Sequence, residues 1–176
     1  SLVHRLDRPV GGVILFAKTS KAASRMSDLL RRRALKRTYV AVVRGKVTKR
    51  SDMLTHYLLK DRKKNKVFAV RKNTKNAKEA ILQYKKIANT ENLTLLKVML
   101  QTGRSHQIGV QLSEIGHPLY GDQKYGENVN KVGEQIALWA YELSFVHPVR
   151  KEEIVIRSLP PNTYPWSEFH INENEI

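Results

Sequence analysis

Apolar residues in this chain come in short β-rich runs broken by glycine, proline and charged clusters, and that segmentation limits its folds more than anything else. The run 13–17 starts directly after two glycines, 38–43 stops just before Gly45, and 93–100 ends shortly before Gly103. Runs of this length suit strands rather than helices. Together with 66–70, 80–87, 136–145 and 154–156 they predict a strand-rich chain whose first strand spans 12–17. Helical spacing occurs twice. Ala22, Ala23, Met26, Leu29 and Leu30 share a face behind a cap at Thr19 or Ser20. Ile108, Leu112 and Ile115 share a face in a helix expected over 105–115, with Gly116 as its stop. Pro160, Pro161 and Pro165 end regular structure. Strands outnumber helices without alternating with them. The expected class is therefore α+β, a mixed, mostly antiparallel sheet flanked by helices, and not a doubly wound fold.

The 176 residues suffice for one domain with a real core, expected over 1–170 and followed by a polar tail at 171–176. No apolar run approaches the roughly 18 residues of a membrane helix. No leader pattern precedes the run 13–17, so a cytoplasmic location is the default expectation. The absence of cysteine excludes disulfides, thiolate chemistry and cysteine zinc sites. Lysine and arginine number 32 against 16 acids, a net charge of +16. Such an excess favours a polyanionic partner, nucleic acid first and an anionic membrane surface second; a merely solubilising lysine-rich composition also produces it. The cations cluster at Arg31, Arg32, Arg33, Lys36 and Arg37, and again from Lys60 through Lys66 to Lys72.

Three stretches combine polar residues with glycine. In His4-Arg5-Leu6-Asp7-Arg8-Pro9-Val10-Gly11-Gly12 an aspartate stands between two arginines. Flanking guanidiniums favour an ionised carboxylate, as a nucleophile requires; a surface turn with a local ion pair has the same residues and is the commoner origin. In 100–107 a strand ends, Gly103 turns the chain and a helix opens, and helix-start amides can hold a phosphate. Arg104 and Gln107 are positioned there to contact backbone or base edges. The third stretch, 116–126, reads as a structured loop, with architecture favoured over chemistry. The six histidines show no metal-ligand spacing, and no nucleotide-cofactor motif or hydrolase elbow occurs.

The segment His4-Arg5-Leu6-Asp7, followed by Pro9 and two glycines, resembles the HRLD signature of RluA-type RNA pseudouridine synthases. Lys36 to Ala41 before Gly45 is similar to the family's tyrosine motif. Thr102 to Ile108 and Gly116 to Asp122 look like its third motif, and Leu138 to Pro148 resembles its closing strand. The resemblance implies an isomerase that detaches a uracil, rotates it and rejoins it through C5, without cofactor or metal. It implies Asp7 as nucleophile and Tyr39 as the residue that stacks on the base and takes the C5 proton. It further implies His4, Arg5, Arg104, His106 and Gln107 as substrate contacts, and Ile136 and Leu138 as an apolar wall. The implied substrate is a uridine flipped out of rRNA or tRNA. Two departures stand out. The basic residue that follows the third motif and pairs with the nucleophile is replaced by Gly109, which leaves a catalytically impaired RNA-binding relative as the alternative. The family's earlier strands, with their lysine–proline motif, do not precede the HRLD motif here. A sheet lacking them would expose an edge and could pair with a second copy.

Overall fold

In the computed structural model, residues 1–7 and 10–176 are described. They form an eight-stranded sheet in the order β1-β7-β2-β6-β5-β3-β4, with β8 also paired to β7. The strands are β1 Gly11–Gly12, β2 Lys36–Arg44, β3 Ser51–Asp61, β4 Lys66–Val70, β5 Lys78–Asn89, β6 Leu93–Leu100, β7 Leu138–Val146 and β8 Glu153–Arg157. Helix α1 spans Ser20–Arg31, α2 spans Gln107–Glu114, and a 3-10 turn covers Trp166–Phe169. Every pairing is antiparallel except β1 with β7, which is parallel. The α+β class with a mostly antiparallel sheet is therefore the observed one.

Alternation along the strands separates two apolar faces. On one face Ala41, Val43, Leu82, Leu96 and Leu138 meet Ile108 and Leu112 of α2. On the other, Val40, Val42, Leu95 and Tyr141 meet Trp166 and Phe169. The β2–β7 ladder carries a bulge. Tyr39 pairs with Ala140 and Thr38 with Glu142, so Tyr141 has no partner across β2. Beyond it Leu143, opposite Arg37, returns to the α2 side, where Leu143 and Phe145 pack on Met26 and Leu29 of α1. Both helices thus lie on one face, with a gap between them. Thr19 caps α1 by accepting the Ala22 amide at 3.0 Å. Gln111, fully buried in α2, donates to the carbonyls of Leu54 and Ala80 and so ties the helix to β3 and β5.

Several expectations need correction. The first strand is two residues, not 12–17, because β8 occupies β7 from Glu142 to Val146 and leaves only Trp139 and Ala140 for β1. Strand β3 was not expected. Helix α2 starts at Gln107 rather than 105, because His106 takes a left-handed conformation at φ 54°. Gly103 has no positive φ, so the corner between β6 and α2 turns without a left-handed glycine there. The tail is not wholly solvated, since Ile171 and Ile176 pack against the Trp166 cluster. Strand β4 forms one edge of the sheet, and its Val67 amide is taken by the Tyr125 hydroxyl at 2.9 Å.

Candidate active site

Beside the start of α2 lies a cavity of about 690 Å³, within the range of small-ligand sites. The segment before β1 brings His4, Arg5 and Asp7 to it. Strand β2 supplies Arg37 and Tyr39, the β6–α2 corner supplies Arg104, His106 and Gln107, and the start of β7 supplies Ile136 and Leu138. All nine residues singled out from the sequence therefore line one cavity.

Their chemical states differ. Asp7 is exposed, and its main-chain oxygen accepts the Val10 amide at 2.7 Å. Among the described residues no cation lies within 4.0 Å of its carboxylate; Arg8, the second flanking arginine of the sequence argument, lies outside them. The negative charge of Asp7 is nevertheless felt by Tyr39, His106 and Tyr125. Tyr39 is largely buried, and burial pushes its phenol above the ordinary value of 10.0, with Arg37 opposing the shift. A neutral phenol offers a ring to stack on and an O–H to donate. Taking a proton as phenolate, the role expected for it, is what burial disfavours.

Two expected substrate contacts are engaged within the protein. Gln107 is 3% exposed, and its Oε1 accepts from the Thr102 hydroxyl and the Arg104 amide, both at 2.9 Å. Its Nε2 donates to the Ile81 carbonyl at 3.1 Å. Gln107 therefore shapes the corner instead of reading a base, and the Arg104 amide is no longer available to a phosphate. His4 accepts the Leu15 amide on Nε2 at 3.1 Å, which places its proton on Nδ1, a buried atom with no partner among the described residues. Burial, and then the nearby Arg37 charge, lower its pKa.

His106 is held from the side. Its Nδ1 lies 2.6 Å from the Tyr125 hydroxyl, which already accepts from Val67. With the phenolic proton directed at Nδ1, His106 is neutral and carries its own proton on Nε2. Burial lowers the His106 pKa in the same sense, and Asp7 opposes it. Arg104 donates Nε to the Glu79 carbonyl at 2.8 Å, and its terminal nitrogens make no hydrogen bond to the described residues. Arg5 is exposed at the mouth. Ile136 and Leu138 pack on the α2 cluster and form the apolar wall.

Sequence reasoning missed four participants. Arg37 stood in a basic cluster and in the tyrosine motif but was given no role at the site. Asp122 and Tyr125 lie in the loop that was read as architecture. The wall segment ending at Ile136 is locked by Arg44, which donates Nε to Asn130 at 2.9 Å and Nη2 to both oxygens of Glu134 at 3.1 Å. Arg44 also stacks 4.5 Å over the Tyr120 ring. Gly109 lines the cavity too. A Cβ there would lie 3.0 Å from Asp122 Oδ2 and 3.3 Å from the Tyr125 ring, so a larger side chain at this position would meet Asp122 first.

Residues 1–114 match the model of the RNA pseudouridylate synthase family. The chain belongs to that family. Among pseudouridine synthases it is 35% identical to one from Aquifex aeolicus (strain VF5), over 96% of this chain and 57% of that protein. It is 31% identical to tRNA pseudouridine synthase C of Vibrio parahaemolyticus (strain RIMD 2210633), over 92% of this chain and 72% of that one. The solved human RNA pseudouridylate synthase domain containing 1 superposes with a TM-score of 0.79 at 20% identity, covering 94% of this chain and 71% of that one; this establishes a shared pseudouridylate synthase fold. The chain spans about half the length of several pseudouridine synthases it matches, 57% of one and 50% of another.

Proposed function

We propose that this protein isomerises uridine to pseudouridine in a structured RNA, rRNA or tRNA, with Asp7 as nucleophile. The observation that carries the reading is the placement of Asp7 at a nucleotide-sized cavity walled by Tyr39, Ile136 and Leu138. The base is flipped into the cavity, stacked on the Tyr39 ring and flanked by the apolar wall. Asp7 acts at the ribose, through a sugar adduct or a glycal. The N1–C1′ bond breaks and a C5–C1′ bond forms, while C5 loses a proton and N1 gains one. The change is an isomerisation that requires no redox partner. With Tyr39 held as a neutral phenol, a carboxylate is the better acceptor for the C5 proton, and Asp7 is one once released from the sugar.

One observation favours a second reading, an RNA-binding relative with impaired catalysis. Among the described residues no cation pairs with Asp7, and the position that would supply one is Gly109. Tritium release from RNA labelled at uridine C5 separates the two readings. Release by the parent chain that Asp7→Asn abolishes establishes the synthase. Release only after Gly109→Arg establishes the impaired relative. Silence from all folded variants on both rRNA and tRNA would refute the synthase reading.

A further inference from the structure

A second cavity, of about 550 Å³, runs between the end of α1 and the β6–α2 corner. It is bordered by Arg31, Arg33, Lys36, Arg37 and Arg104, and no carboxylate lines it. Of these cations only Arg31 has an acidic partner, Asp28; the other four have none within 4.0 Å among the described residues. Leu30, Leu35 and Leu100 give the groove an apolar floor. Unpaired cations above an apolar floor suit a single strand, whose phosphates take the charges while sugars or unstacked bases rest on the aliphatic surface.

The groove and the Asp7 cavity share Arg37, Leu100, Gly103 and Arg104. Arg37 is built into this junction. A Cβ on Gly103 would lie 2.6 Å from one of its terminal nitrogens, so the guanidinium lies directly against the Gly103 main chain, and a side chain there would push it aside. Its Nε is buried with no partner among the described residues. Its charge reaches into the Asp7 cavity, where it adds to the lowering of the His4 pKa by burial and opposes the burial that raises the Tyr39 phenol. Arg104, on the same rim, has terminal nitrogens that make no hydrogen bond to the described residues. Arg33 is held at φ 58°, a strained conformation for an arginine, immediately beyond α1. A base lodged in the cavity leaves its flanking phosphates at the rim, and on this side the rim carries two guanidiniums without acidic partners among the described residues.

We propose that this groove is the track for the RNA strand adjoining the target nucleotide, and that Arg37 holds the phosphodiester at the junction. The inference rests on the synthase reading of the cavity and specifies where the strand enters it. Arg33 and Lys36 then carry the next phosphates, and Gly103 acts as a positioning residue through Arg37.

The test uses the full chain and a fluorescein-labelled single-stranded RNA containing one uridine, with affinity read by anisotropy from about 50 to about 200 mM salt. Each phosphate contact on a single strand contributes roughly 0.7 to the slope of log affinity against log salt. Arg33→Gln with Lys36→Gln is expected to lower the slope by roughly 1.4. Lys85→Gln with Lys97→Gln removes the same charge from the opposite face, since Lys97 pairs with Val40 and Lys85 with Lys97, and is expected to leave the slope unchanged. A second measurement replaces the linkage beside the uridine with an uncharged methylphosphonate. That change is expected to weaken the parent but not Arg37→Gln, a coupling that general loss of folding cannot imitate. Equal slopes for the two double variants, or equal weakening of parent and Arg37→Gln by the methylphosphonate, overturns the groove. Tritium release with flat slopes would sink the groove and leave the synthase. A groove effect without release from any folded variant would do the reverse.

Discussion

Replacing Tyr125 by phenylalanine removes one oxygen that serves two partners. The hydroxyl accepts the Val67 amide at 2.9 Å and hydrogen-bonds His106 Nδ1 at 2.6 Å. Val67 is only 3% exposed and lies on edge strand β4, so its outward amide has no strand to pair with. An unsatisfied buried amide costs about 1–3 kcal/mol. The ring and its packing are retained, so a loss of about 2 kcal/mol is expected, less if solvent reaches the amide. For a chain of this size that lowers Tm by about 4–8 °C. The same change strips His106 of a bond that only its neutral form accepts. Its pKa, held down chiefly by burial, should then climb toward the ordinary 6.5. Thermal melting by circular dichroism gives the first quantity, and ¹⁵N chemical shifts of the imidazole during a pH titration give the tautomer and the second. A Tm within about 1 °C of the parent with His106 titrating unchanged, or a parent imidazole protonated on Nδ1, would refute the assignment of that proton.

His4, His56 and His106 all have pKa values lowered from 6.5, in each case chiefly by burial. Their stabilising contribution is complete above pH 6.5 and is lost as pH falls from there through the folded values; urea midpoints at pH 7.5 and below should show the decline, and a flat profile would count against it. Thr19→Ala removes the α1 cap and is expected to cost about 1 kcal/mol, seen as a Tm drop of about 2–4 °C. Gly121 sits at φ 78°, with the Gln135 carbonyl oxygen 2.3 Å from an ideal Cβ. Gly121→Ala should therefore lower the urea midpoint by the equivalent of about 2 kcal/mol or more, and retention of the parent midpoint would show that the loop can shift.

What the sequence shows and hides has a common cause. Strands 66–70 and 93–100 were expected with the bounds they have, because each is a β-rich run with a break at either end. Strand β3 escaped because its only two buried residues, Leu54 and Leu58, are four apart, a spacing that suits a helix as well as a strand, and its last residues read as part of a basic cluster. Strand β1 was drawn too long because its length depends on how much of β7 the distant β8 leaves unpaired. The site followed the same rule. Asp7, Tyr39 and the corner residues lie in compact motifs and were found. Arg44 meets Glu134 across 90 residues and Tyr125 meets Val67 across 58, and no local pattern marks either pair. Gln107 was found but misread, since only the folded corner shows that its amide is occupied.

The unpaired Tyr141 gives β7 an arithmetic that no single substitution tests. A strand distributes its side chains by odd and even count, and the one additional residue changes that count for everything after it. Delete Tyr141, and Glu142 would still pair with Thr38 and Leu143 with Arg37, so the ladder becomes regular while Leu143 and Phe145 go on facing Met26 and Leu29. Delete Glu142 as well, and Leu143 would follow Ala140 directly and turn to the side where Trp166 sits. The loss of one residue at this point should therefore be tolerated and the loss of two rejected, because the bulge keeps the two stretches of β7 in phase.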